Sequence, residues 1–329
     1  MVNLEKLLTR IEKRKKDEST EDPFAVFLKT HGMKFNPFQD KVVDDLMFIN
    51  KDKDALVRIL RATLHNQSSL SIMIGPTGSG KSENADFLVK KLPEEYVYWY
   101  NQIYGQTALQ LGSSILESLD PKFAESIKKK KKDIMDTFNR VLMALPRKNK
   151  KLFCIFDQGE NFSKDALDFV INCTNPHYDN FRSFSALILA VPRFEKRLER
   201  WLDNYDTAIR RSLVKEYVRP FTSLECAEYI IRGIALSRGI EYSQILKLRD
   251  FDPFEKSAIE RIIEICKGHP STLCDLCYLS MEIACETSPH VLVLEEHVKE
   301  AWKKYPNKTL HREAIKWYIN KGLVREDAG

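Results

Sequence analysis

Residues 75 to 82 read GPTGSGKS, the pattern G-x-x-x-x-G-K-[ST], and the apolar run Leu70 to Ile74 stands directly before it. A buried strand that breaks into a glycine-rich turn and then a helix aims backbone N–H groups and a helix N-terminus at one point, so a polyphosphate is the ligand this chemistry selects. In that reading Gly75, Pro76, Thr77, Gly78, Ser79 and Gly80 form the cradle. Lys81 reaches the β- and γ-phosphates of a nucleoside triphosphate such as ATP, and the Ser82 hydroxyl takes a place on Mg²⁺. The other half of such a site is a carboxylate at the end of a second buried strand. Leu152 to Phe156 followed by Asp157 supplies it, with Asp157 expected in the Mg²⁺ shell. In many ATPases of this kind a glutamate comes next and polarises the attacking water, but here the next residue is Gln158. An amide orients a water without accepting its proton, so a general-base contribution of roughly 10²- to 10⁴-fold is missing and slow or absent hydrolysis is expected. Glu160, two residues further on, is expected to point elsewhere.

These residues need a sheet to hold them. Apolar runs predict strands near 70–74, 96–100, 152–157, 184–191 and 213–218, with helical patterns between them. That alternation predicts an α/β, three-layer fold around a mostly parallel five-stranded sheet. From about Ser223 onward every periodic segment is helical: Leu224 to Ser237, Pro253 to Lys267, Ser271 to Glu286 and Leu294 to Lys304. The expected organisation is an N-terminal amphipathic helix (Leu4, Leu7, Leu8, Ile11) and linker over 1–22, a nucleotide-binding domain over 23–221, an all-helical domain over 222–305, and a helical tail over 306–329.

Charged residues make up 30% of the 329, and apolar stretches such as Ala186 to Pro192 fall well short of the ~18 residues a membrane-spanning helix needs. No membrane partner is expected, and the charged N-terminus lacks a secretory apolar core. Seven cysteines, an odd number without framework spacing, suit reduced thiols in the cytoplasm. Cys266, Cys274, Cys277 and Cys285 gather near His269; a zinc site is one reading, but Cys274, Cys277 and Cys285 share a helical pattern with Leu273, Leu276, Leu279 and Ile283, which reads as core. Between Pro121 and Lys151 eleven basic residues, among them Lys128 to Lys132, face three acidic ones, a balance of +8 against +5 for the whole chain. A local positive field of that kind suits the phosphate backbone of double-stranded DNA. No aromatic residue interrupts Lys128 to Lys132, so contact without sequence preference is expected.

HGMKFNPFQD at 31–40, a helix opening near Phe48 to Leu60, the phosphate loop, FDQGENFS at 156–163 and LILAVPRFEKRL at 187–198 together resemble AAA+ ATPases. The resemblance is to the branch of replication initiators, ExeA-like ATPases and TniB/TnsC-like transposition regulators. It implies an AAA+ P-loop domain followed by a helical lid, with Asn36, Pro37 and Phe38 matching a segment that precedes the nucleotide pocket. It further implies assembly of identical subunits, with Arg210 or Arg211 in the place of a finger that reaches the neighbour's γ-phosphate. The chain departs from the pattern at Gln158, at Ala190 and Val191, which offer no polar sensor at the end of the fourth strand, and at Ser271, where a second sensor arginine is expected. All three departures leave nucleotide binding intact and weaken hydrolysis. Replication initiators continue into a winged-helix domain, whereas the residues after Trp302 hold one helical pattern, Leu310 to Leu323. The expectation is therefore an ATP- and Mg²⁺-binding regulator that oligomerises on DNA and adapts a recombinase, transposase or helicase. A signalling or defence switch without nucleic acid is the alternative.

Overall fold

The computed structural model describes residues 22–39, 52–64, 70–119, 131–174, 183–202, 213–241, 244 and 251–324. The chain divides into two compact units, one from residues 1–48 and 221–311 and the other from residues 49–220 and 312–329.

The second of these is built on a sheet. Its strands are β1 (Leu70–Ile74), β2 (Tyr96–Gln102), β3 (Lys151–Asp157), β4 (Phe184–Ala190) and β5 (Leu213–Tyr217), in the order β2-β3-β4-β1-β5. Every pairing is parallel. The carboxyl ends of all five strands therefore lie along one edge, the edge at which open α/β sheets bind ligands. Around the sheet run the helices α1 (Asp52–Leu64), α2 (Lys81–Val89), α3 (Ala108–Leu119), α4 (Lys131–Ala144), α5 (Lys164–Cys173) and α6 (Arg193–Leu202).

Strand alternation sorts the core into two layers. On one face Leu70, Ile72, Ile74, Cys154, Phe156, Ala186 and Ile188 pack with Ile115, Phe138, Phe169 and Phe194. On the other Met73, Phe153, Ile155, Leu187 and Leu189 pack with Ile59 and Leu88. Both faces of β1, β3 and β4 are buried, which is why these strands read as unbroken apolar runs rather than as alternation. Local chemistry sets the helix starts: the Ser163 hydroxyl accepts the Ala166 N–H at 3.1 Å and caps α5.

A second anchor in this unit is the Glu195 carboxylate, 7% exposed at the start of α6. Lys321 and Lys215 donate to it at 2.8 and 2.9 Å, and the Tyr217 hydroxyl donates as well. Burial pushes its pKa up, but the bonds from Lys321, Tyr217 and Lys215 together outweigh burial and hold it at about 2, below the ordinary 4.5. A carboxylate depressed in this way contributes stability above its unfolded pKa and loses it as pH falls through the folded one. The stability difference between the protein and its Glu195→Gln variant is accordingly expected to be full at neutral pH and to close between about pH 4.5 and about pH 2. Thermal melts of both proteins across that range measure it, and a difference that does not change with pH removes the ionised carboxylate from the account.

The first unit is helical: α7 (Ser223–Arg238), α8 (Lys256–Cys266), α9 (Pro270–Thr287), α10 (Glu295–Lys304) and the opening of α11 (Lys308–Asn320), joined by the short helix Pro23–Thr30. Thr222 and Glu225 cap α7 reciprocally, hydroxyl to N–H at 3.3 Å and N–H to carboxylate at 2.7 Å. Residues 23–39 were expected in the nucleotide-binding domain on sequence grounds, yet they group with the helices. Phe27, Met33 and Phe38 are buried in the helical core with Ile230, Ile259 and Leu273, the Lys34 N–H donates to Ser237 O at 2.8 Å, and Arg238 donates to His31 O at 3.1 Å. Residues 312–329, expected with the tail, group with the sheet unit. Cys266, Cys277 and Cys285 are buried among these apolar side chains, with Cys274 packed at the margin. Leu4 to Ile11 and the linker that follows, to residue 21, lie outside the described residues.

Candidate nucleotide site

The loop that follows β1 starts where the sheet ends: the Gly75 N–H donates to Ala190 O at 3.1 Å, which ties the loop to the neighbouring β4. Gly78 and Gly80 take positive φ values of 76° and 86°, and Gly80 caps α2 without a side-chain bond. The first N–H groups of α2 thus face outward with the positive end of the helix dipole behind them. Ser79 Oγ is buried and, among the described residues, has no hydrogen-bond partner. An orphaned hydroxyl in a concave ring of backbone donors is the condition expected of a site shaped for an anion.

Lys81 opens α2 and folds over the loop, its Nζ donating to Gly75 O at 2.9 Å and Pro76 O at 2.8 Å. Burial pushes its pKa down to about 8, partly offset by the negative charges of Glu160, Asp157 and Glu83, in that order of strength. Ser82 and Asp157, 75 residues apart, are brought into direct contact: the Ser82 hydroxyl donates to Asp157 Oδ2 at 2.8 Å. Asp157 also accepts from the Gln158 N–H at 2.8 Å and from the Tyr100 hydroxyl at 2.8 Å. Tyr100, on β2, was not singled out by sequence. Burial and then the bond to Asp157 push its pKa well above the ordinary phenol value, so it remains a donor at all working pH. Its only signal is its place on the strand paired with β3, and β-pairing is not visible in an apolar run.

Gln158 has a left-handed backbone, φ 56° and ψ 45°, and its side-chain oxygen accepts from Asn161 Nδ2 at 3.3 Å. Glu160 corrects the expectation that it points elsewhere. Its Oε2 accepts the Val191 N–H at 3.2 Å, at the end of β4, and it exerts the largest attraction of any acid on Lys81. Gly159 permits this approach, because a Cβ there would lie 2.3 Å from Ile188 Cγ2 and 3.2 Å from Leu189 O. Arg197 on α6 fixes the turn, donating to Glu160 O at 2.9 Å and to Phe162 O.

The remaining candidates fall elsewhere. Asn36 and Phe38 belong to the helical unit, where Asn36 Oδ1 accepts the Phe38 N–H at 3.0 Å while the buried Nδ2 has no partner among the described residues. Arg210 and Arg211 lie outside the described residues, as do Lys122 and Lys128 to Lys130. Of the basic stretch, Arg140, Arg147 and Lys148 are exposed, and the last two immediately precede β3, at the end of that strand opposite Asp157. No group of His, Cys, Asp and Glu able to hold a metal is found among the described residues. None of their helices is long and apolar enough to cross a membrane.

A wholly parallel five-stranded sheet with flanking helices, a glycine-rich loop after one strand, an aspartate after another and a helical region beyond is the fold and site geometry of P-loop proteins of the AAA+ class. More particularly, a family model described as "AAA domain" matches residues 55–198, and the fold is similar to several solved structures. The ORC2 protein of Aeropyrum pernix, in its ADPNP–ADP complexes, aligns with a TM-score of 0.58 at 15% identity over 82% of this chain and 71% of that one. Drosophila ORC bound to DNA aligns at 0.57 and 13% over 88% and 68%. The Thermotoga maritima RuvB Holliday junction branch migration motor aligns at 0.52 and 14% over 87% and 80%. No curated protein matches the sequence.

Proposed function

We propose that the protein is an ATP- and Mg²⁺-binding AAA+ regulator that oligomerises through its nucleotide sites along double-stranded DNA, and that it adapts a recombination, transposition or replication partner under nucleotide control. The observation that carries this reading is the convergence of Lys81, Ser82 and Asp157 at the carboxyl edge of the sheet, beside the glycine-rich loop and the N-terminus of α2. The donor set fits the group it would hold: N–H groups and an ammonium for phosphates, a hydroxyl and a carboxylate for a hard cation. Ser82 and Asp157 would hold Mg²⁺, which supplies charge neutralisation at the β- and γ-phosphates. Tyr100 holds the same Asp157 oxygen that Ser82 does, and Arg210 or Arg211 would close the site of a neighbouring subunit. With Gln158 turned to Asn161, hydrolysis is slow and the triphosphate state long-lived.

DNA contact is supported by the exposed Arg140, Arg147 and Lys148, by the lysine run before them, and by relatives in fold whose structures include one bound to DNA. Arg147 and Lys148 stand at the end of β3 away from the phosphate loop, so the two ligands do not compete for one surface. The test is light scattering after size exclusion with ATP, Mg²⁺ and duplex DNA. The mass is expected to rise only when all three are present, and the logarithm of DNA affinity to fall with the logarithm of salt by roughly 0.9 per phosphate neutralised. Changing Lys128 to Lys132 to alanine is expected to flatten that slope for all sequences alike. A mass that ignores ATP, or a slope that ignores the lysines, refutes the corresponding half of the proposal.

A further inference from the structure

We infer that Glu160 is the catalytic base of the residual ATP hydrolysis, taking over from position 158 and filling the place at the end of β4 that carries no polar side chain of its own. The inference rests on ATP binding at the phosphate loop. Four contacts place the carboxylate. Lys81 Nζ bonds Gly75 O at 2.9 Å, and the Gly75 N–H bonds Ala190 O at 3.1 Å. The next residue, Val191, gives its N–H to Glu160 Oε2 at 3.2 Å. Arg197 holds the Glu160 carbonyl from behind at 2.9 Å. The acid is therefore pinned between the ends of β3 and β4, one residue from the bond that starts the phosphate loop. Among the described residues its second oxygen, Oε1, takes no hydrogen bond, so one lone-pair face remains for a water.

Alternatives at the same edge are committed. Asp157 accepts three donors, and the Gln158 amide, which has no basic site, is bound to Asn161. Gly159 is what makes the arrangement possible, since any Cβ would strike Ile188 and hold the turn away from β4. In the reaction the water oxygen forms a bond to the γ-phosphorus, the bond from that phosphorus to the β–γ bridging oxygen breaks, and its electron pair leaves with the nucleoside diphosphate. The water's proton passes to Glu160, which returns it to solvent after the phosphate departs. Two such roles, base and sensor, in one side chain account for a site that lacks the usual residue at both positions.

The experiment compares the protein with Glu160→Gln, Glu160→Asp and Gln158→Glu under single-turnover conditions with Mg²⁺ and duplex DNA, alongside nucleotide affinity by titration of a fluorescent ATP analogue. Glu160→Gln keeps an oxygen for the Val191 N–H, so the turn survives. It is expected to bind ATP within about twofold of the parent while hydrolysing it on the order of 100-fold more slowly, the usual scale of a lost general base. Glu160→Asp should restore part of the lost rate. Hydrolysis in Glu160→Gln at the parent rate, or a parent with no turnover above the water rate, overturns the inference. So does a gain of more than tenfold in Gln158→Glu that is indifferent to Glu160. Failure of the parent to bind the analogue would instead refute the nucleotide site itself, a result read from the titration alone.

Discussion

Lys81→Ala is expected to weaken nucleoside triphosphate binding by at least 100-fold. The rest of the loop offers neutral backbone donors, so this ammonium is the one full positive charge that the described loop directs at a polyanion. Hydrogen bonds to charged groups are worth about 1.5–3 kcal/mol each, and the loss of such contacts to two phosphates amounts to roughly 3 kcal/mol or more, which is a factor above 100 in affinity. The same side chain should impose a pH dependence. Burial brings Lys81 down to about 8 in the free protein, so raising the pH through that value removes the charge that the nucleotide needs. ATP affinity is expected to decline above about pH 8 in the parent and to stay flat in the variant. Calorimetric titration at pH 7 and pH 9 measures both effects. Equal affinity in parent and variant would leave the phosphate loop without a ligand.

Gly268→Ala is expected to be the most damaging single methyl in the helical unit. Lys267 and Gly268 both have positive φ, 46° and 78°, where the chain leaves α8 and turns into α9. A Cβ at position 268 would lie 2.0 Å from Phe221 O and 2.9 Å from Phe221 N, and both are backbone atoms that no side-chain rotation can move. Phe221 is held there because its own N–H donates to Gly268 O at 2.8 Å. Left-handed strain of ~1–3 kcal/mol adds to overpacking of similar size, for a total of roughly 3 kcal/mol or more. For a chain of this size that is a drop of about 4 °C in melting temperature. Scanning calorimetry of parent and variant checks it, and an unchanged melt would mean that Phe221 and Gly268 do not meet.

What the sequence determined is what local spacing can encode. The phosphate loop is contiguous, so eight residues contain both the cradle and the groups that fill it, and Gly75 to Ser82 were legible before any fold was known. Strand positions were equally plain, because strands buried on both faces leave unbroken apolar runs such as Leu152 to Phe156. Cys277 and Cys285 could be read as core, since a helical period places them among leucines. Partnership across the sheet was not encoded in this way. That Ser82 meets Asp157, that Tyr100 donates to the same carboxylate, and that Glu160 finds the Val191 N–H all follow from the order β2-β3-β4-β1-β5, which puts the ends of β3, β4 and β1 side by side. Local periodicity gives each strand its faces but not its neighbours. Glu160 was expected to point elsewhere because the turn after Asp157 could not be foreseen; only the close packing of Gly159 on Ile188 turns that side chain toward β4. Grouping of residues 23–39 with the helices, and of Lys321 with Glu195, was likewise decided by burial and charge pairing between segments far apart in sequence. Such contacts depend on where the whole chain has already placed its partners, and the tertiary structure alone settles that.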